Sequence, residues 1–147
     1  MIQRTIKFRG LRTDGVGWAY GYFVKTPITT EFNCTGQFLD SGGQGRFVIV
    51  TKEGVAHEID PETVGQWTGI TDDKVEEIYD GDLVSIKIHL PTDDKKIGKI
   101  FWNKTMCRFS IKTEEDVYKL ENCLFNNIEV VGNIHQNPEI LKKIRFI

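Results

Sequence analysis

The chain has 147 residues, 39% of them hydrophobic and 27% charged, a composition that fits a folded globule and excludes a disordered or collagen-like chain. Its formal net charge of −2 excludes a globally basic nucleic-acid binder, so such a role would need a local basic face. No apolar run is long enough to span a bilayer, the start MIQRTIKFRG has no signal-peptide core, and the cysteines, Cys34, Cys107 and Cys123, are widely spaced; these features predict a cytoplasmic protein with reduced thiols that needs neither disulfide nor metal to fold.

In chain order, IKFR alternates Ile6 and Phe8 with Lys7 and Arg9, the period of a half-buried strand. WAYGYFVK places Trp18, Tyr20, Tyr22 and Val24 on one face and Ala19, Gly21 and Phe23 on the other. Asp14-Gly15 between the two runs predicts a tight hairpin. Residues 26–44 carry little pattern and predict a long connection. RFVIVTKEGVAHEID predicts a hairpin turning at Lys52-Glu53-Gly54. Asp60-Pro61-Glu62 has the cap, first-position proline and first-turn acid of a short helical turn. Gly65 and Gly69 stop that turn, and this compact joint ends a first lobe, residues 1–70.

The second lobe, 71–147, opens on YDGDLVSIKIHL, with Val84, Ile86, Ile88 and Leu90 on one face and Ser85, Lys87 and His89 on the other. KIGKIFW and CRFSIKT form a further pair around Asn103-Lys104-Thr105, with Cys107, Phe109 and Ile111 on one side. TEEDVYKLENCLF fits a short helix or a brief strand about equally. IEVVGNI is a strand. NPEILKKI predicts a terminal helix capped by Asn137, opened by Pro138, with Ile140, Leu141 and Ile144 inward. The fold class is therefore mainly β: two small lobes of short antiparallel strands and a short C-terminal helix.

IKFRGL, WAYGYFV, DPETVGQWTGI, EIYDGDLV and IEVVGNIHQNPEIL, in that order and spacing, resemble the YopX-like family of phage and prophage proteins. The most specific part is Gly65-Gln66-Trp67-Thr68-Gly69 with Tyr79-Asp80-Gly81-Asp82, which the resemblance marks as a structural motif. It implies SH3-like barrels and carries over no catalytic residue and no cofactor. Val75 departs from the pattern, standing where the family's turn has glycine.

Asp72, Asp73, Glu76, Glu77, Asp80 and Asp82 crowd one stretch. A metal or acid–base site needs carboxylates converging in a desolvated pocket, and nothing in this loop would desolvate them; the expectation is a solvated bend between lobes. Trp67 is expected to be a plug between sheets. SGGQGR lacks the Gly-Lys-Ser/Thr and helix of a phosphate loop. His57, His89 and His135 show no metal-ligand spacing, so no metal is expected. One surface is a functional candidate: Lys87 and His89, with Arg108 and Lys112 from a strand expected nearby, form a basic outer face suited to single-stranded nucleic acid or a peptide. The expected protein is non-catalytic, works by binding or assembly in a bacterial cytoplasm, and has a protein or nucleic-acid partner, with self-association through strand edges or the terminal IRFI as a further reading.

Overall fold

The computed structural model describes residues 5–26, 31–32, 38–39, 45–87, 95–123 and 127–143. Contacts divide the chain into two compact units, Lys7–Val64 and a second built on Gly65–Ile147.

The first unit holds β1 (Phe8–Leu11), β2 (Trp18–Lys25), β3 (Glu31–Phe32), β4 (Phe38–Leu39), β5 (Phe47–Val50) and β6 (Ala56–Glu58). Antiparallel pairing gives the order β6-β5-β2-β1, with β3 and β4 as a separate pair. The Asp14-Gly15 hairpin forms around a longer loop than a two-residue turn, closed by the Arg12 amide donating to the Gly17 carbonyl at 2.9 Å. The period-2 pattern of β2 decides what is buried. Ala19 and Phe23 join Ile49, Ile59, Phe8, Phe47 and Val64 in the core, while Tyr20, Tyr22 and Val24 face outward. Pro61–Thr63 form η1, one 3₁₀ turn whose Glu62 amide is capped by the Asp60 carboxylate at 3.0 Å. The Thr63 hydroxyl accepts from the Leu11 amide at 2.8 Å and so fixes this turn to β1.

In the second unit, GQWTGI is not the expected joint but a strand, β7 (Gly65–Thr71), paired antiparallel with β8 (Glu77–Tyr79). Its register shifts between Trp67 and Thr71, and that bulge breaks the alternation by which a strand is recognised. There follow β9 (Asp82–Lys87), β10 (Lys95–Asn103), β11 (Arg108–Lys112), β12 (Val117–Lys119), the 3₁₀ turn η2 (Leu120–Cys123), β13 (Ile128–Asn133) and helix α1 (Pro138–Lys143). The ambiguous stretch after Thr113 is thus a brief strand and one 3₁₀ turn. The sheet runs β12-β11-β10-β9-β13: a meander whose last strand returns beside its first. The mainly-β reading holds, but the expected barrel does not close. Among the described residues β12 and β13 remain edges, because β12 has only three residues and the chain then tightens into η2.

Ile78, Val84, Ile86, Ile100, Phe109, Ile111, Leu120 and Ile128 form the core of this unit. Cys107 does not share the inward side of β11. It lies exposed in the preceding turn with φ +50. Asn137 opens α1 through its backbone carbonyl, while its side-chain oxygen turns back to accept from the Asn133 amide at 3.1 Å. The expected side-chain cap is therefore spent on the bulged end of β13. Ile88, His89, Leu90 and Ile144 lie outside the described residues.

Candidate functional site

The glycine- and aspartate-rich motif builds the junction of β7, β8 and β9. The Thr68 hydroxyl donates to the Ile78 carbonyl and the Asp80 amide to the Gln66 carbonyl, both at 2.9 Å. At Gly65 a Cβ would stand 2.4 Å from the Asp80 carbonyl oxygen, so the two backbones can approach only through glycine. Trp67 is half-buried opposite Tyr79. Tyr79 is buried, and its hydroxyl donates to the Glu77 carboxylate at 2.7 Å. Gly69 is exposed within the bulge. Gly81, at φ +87, donates its amide to the Ile100 carbonyl and accepts from the Ile134 amide, each at 3.0 Å.

The expectation that the acidic stretch is solvated fails at two positions. Asp72 is 5% and Asp82 1% exposed. One Asp72 oxygen accepts from the amides of Lys74 (2.9 Å) and Glu76 (2.8 Å), and the other from the Val130 amide of β13 at 2.9 Å. An Asp82 oxygen accepts from the Tyr79 amide at 2.7 Å. Asp72 opens its turn and folds its carboxylate over the backbone that follows, Asp82 closes one and reaches back to Tyr79, and in both cases directed amides replace the lost water. Asp73 and Glu76 are exposed, Glu77 and Asp80 half-buried. Among the described residues no three His, Cys, Asp or Glu side chains are grouped to hold a metal ion. Lys74 pairs with Glu129, whose carboxyl this hydrogen bond holds below the usual carboxylate range.

The turn at Val75 forms although glycine is missing. The Val75 amide donates to the Asp72 carbonyl at 3.0 Å and the Asp72 amide to the Glu76 carbonyl at 2.8 Å. Val75 accordingly takes φ +66 while 78% exposed, a left-handed backbone that costs a residue with a Cβ about 1–2 kcal/mol. Val75→Gly should therefore raise the unfolding free energy by about 1 kcal/mol after glycine's entropic cost, seen as a higher urea midpoint at unchanged slope.

Strand register assembles the basic face. On the side away from Ile86 and Ile111, β9 carries Leu83, Ser85 and Lys87; β10 carries Lys95, Ile97, Lys99 and Phe101; β11 carries Arg108, Ser110 and Lys112; β12 carries Val117 and Lys119; and β13 sets Glu129 beside Ser85, with Leu83 and Ser110 fully buried within this side. Lys87 and Lys112 thus share a face but not a neighbouring strand, because β10 runs between β9 and β11 and adds Lys95 and Lys99. Two like-charged pairs stand directly across the sheet, Lys87 with Lys95 and Lys99 with Lys112. Arg108 faces Glu121 at 3.5 Å. Among the described residues no carboxylate forms an ion pair with Lys99 or Lys112. Phe101 and Ile97 lie among these cations, half-buried and 36% exposed respectively. Toward β13 this face has a pocket of about 50 Å³ lined by Asp73, Ser85, Lys87, Lys95 and Glu129, far below the roughly 300–1,000 Å³ of small-molecule sites. The arrangement suits an extended anion lying on a surface. His89 and Ser41–Gln44 lie outside the described residues; His57 sits on β6 and His135 in the turn after β13.

The family described as YopX protein matches residues 7–142. The chain belongs to the YopX family. Among solved structures, protein EF1440 from Enterococcus faecalis is similar at 21% sequence identity and a TM-score of 0.53, over 95% of this chain and 99% of that one. At that identity the likeness speaks for a shared fold alone. No curated protein matches the chain. Among the described residues no helix is long and apolar enough to cross a membrane.

Proposed function

We propose that this YopX-family chain is a non-catalytic, phage- or prophage-encoded binding protein of the bacterial cytoplasm. Its ligand is single-stranded nucleic acid, held on the basic outer face of the second unit. The observation that carries this reading is the opposition of Lys99 and Lys112 directly across the sheet, with no carboxylate in an ion pair with either among the described residues. Like charges directly opposite one another destabilise a sheet, and a chain of net charge −2 has carboxylates to spare for such positions. Concentrating lysines there is explained if phosphates neutralise them. Phe101 adds a ring amid the charges, the combination on which unpaired strands are held. The carboxylates of Asp72 and Asp82 accept from backbone amides, which supports a structural role rather than proton transfer.

Titration of the protein into a fluorescent thymidine oligonucleotide tests the reading. The affinity should fall steeply with added salt, with a slope of log K against log salt of about −3, each contacting lysine adding about −0.7. Absence of binding at low salt removes it. Nuclease or hydrolase activity that Asp80→Ala abolishes would overturn the non-catalytic part.

A further inference from the structure

We propose that Ser110 and the Nε edge of Arg108 form a phosphate subsite on the basic face, where directed donors and not charge alone hold one phosphate of the bound strand. The inference rests on the single-stranded nucleic-acid reading and deepens it at one point. Both residues lie on the side of β11 away from Ile111, two positions and so about 7 Å apart along the strand. Ser110 is fully buried. Among the described residues neither its hydroxyl nor Arg108 Nε has a hydrogen-bond partner, and both atoms are closed to water. A buried donor is costly to leave without an acceptor, and here two occur at successive positions of one face.

The chemistry of the two donors selects an anion. Glu121 lies 3.5 Å from Arg108 Nη1, on the far side of the guanidinium from the Nε–H bond. The Nε edge, whose planar fork matches phosphate oxygens, is thus not the one this carboxylate takes. One phosphate oxygen on that edge and a second on the Ser110 hydroxyl satisfy both donors, as a backbone diester can; a terminal phosphate has a third oxygen for Lys112. Lys112 follows Ser110 on the same side and Lys99 stands across from Lys112. Among the described residues no carboxylate forms an ion pair with either. By register the side chains around Ser110 are Phe101 and Lys119 across the sheet and Arg108 and Lys112 along the strand. Three of these are long cations whose flexible stems lie over the surface while their heads stay in water. A phosphate drawn in by the heads meets the hydroxyl when the stems part.

The test compares the full chain with Ser110→Ala and Arg108→Lys on thymidine oligonucleotides with and without a terminal phosphate, across a salt series. Each variant should bind about tenfold more weakly, the loss of one hydrogen bond to a charged group. The slope of log K against log salt should not change, because neither substitution alters the charge. Urea unfolding should find Ser110→Ala no less stable than the natural chain, since alanine removes a buried donor that has no acceptor in the fold. An equal loss on both oligonucleotides supports the subsite and assigns it to a backbone phosphate; a loss confined to the phosphorylated one supports it and assigns it to a strand end. If both variants keep full affinity while the natural chain binds with the expected slope, the subsite is refuted and the basic-face reading stands. If the natural chain binds neither oligonucleotide at low salt, both fall. If Ser110→Ala is destabilised, the hydroxyl is bonded within the fold and the proposal is overturned. A polyglutamate peptide that binds as tightly, with the same losses in the variants, would show a carboxylate ligand and overturn it too.

Discussion

Asp72→Ala should destabilise the second unit by about 3 kcal/mol or more, the largest effect expected of a single substitution in the acidic stretch. The carboxylate accepts from three amides, those of Lys74, Glu76 and Val130, at 2.8–2.9 Å. Two of these bonds close the β7–β8 turn, and the third ties that turn to the edge strand β13. Alanine leaves three donors facing a space with no acceptor, in a position only 5% open to water. A hydrogen bond to a charged group contributes about 1.5–3 kcal/mol, but the three losses do not add, since the freed turn can relax toward solvent. Asp72→Asn separates charge from geometry. Its remaining oxygen can serve Lys74 and Glu76, while its NH₂ would meet the Val130 amide donor to donor. Asparagine should therefore recover part of the loss and leave Val130 exposed. Thermal melts should show a drop of about 10 °C for alanine. Hydrogen exchange should show the Val130 amide deprotected in both variants, and the Lys74 and Glu76 amides only in alanine. Unchanged protection at Val130 in Asp72→Ala would show that the carboxylate does not bind the two elements together.

The crowding of carboxylates around Asp72 is plain in the sequence, but the burial of Asp72 and Asp82 is not. A carboxylate that bonds its own turn and one that is merely wet have the same local sequence; what separates them is Val130, 58 residues away. The strands whose alternation is clean, β2, β9 and β11, are legible because one face of each is apolar. β7 is not, since Gly65, Gly69 and the bulge between Trp67 and Thr71 interrupt the period before it can be counted. In β10, KKIGKIFW puts both lysine and apolar residues on each face. Lys96, Gly98, Ile100 and Trp102 share the side of Ile111 and Val84, and Gly98 is there because a Cβ would stand 2.4 Å from Ile111 Cγ2. Periodicity alone thus had no way to assign Lys95 and Lys99 to the basic face, although it placed Lys87, Arg108 and Lys112. The Lys–Lys oppositions exist only in the register between strands.

Those oppositions yield a result of two signs from one substitution. Lys99→Glu should raise stability while lowering affinity for single-stranded nucleic acid. In the folded chain Lys99 stands directly across from Lys112 and next to Leu83 on the other side. Exchanging it for glutamate turns a repulsive cross-strand pair into an attractive one, a change of about 0.5–1 kcal/mol in favour of the fold. The gain should shrink in high salt, because the pair is only half-buried and partly screened. For the ligand the same change removes one phosphate contact and repels its neighbour. The affinity should fall about tenfold at low salt, and the slope of log K against log salt should lessen by about 0.7 or more. Lys112→Glu should behave alike, whereas Lys99→Glu/Lys112→Glu should restore like-charge repulsion and lose the stability gain while binding worst. An exposed lysine with no role in binding would move stability by the same small amount and leave the salt slope untouched. A variant that is more stable yet binds less cannot be explained by misfolding. An unchanged slope in Lys99→Glu would mean that the phosphates lie elsewhere, and the β9–β10–β11 face would lose its claim to the ligand.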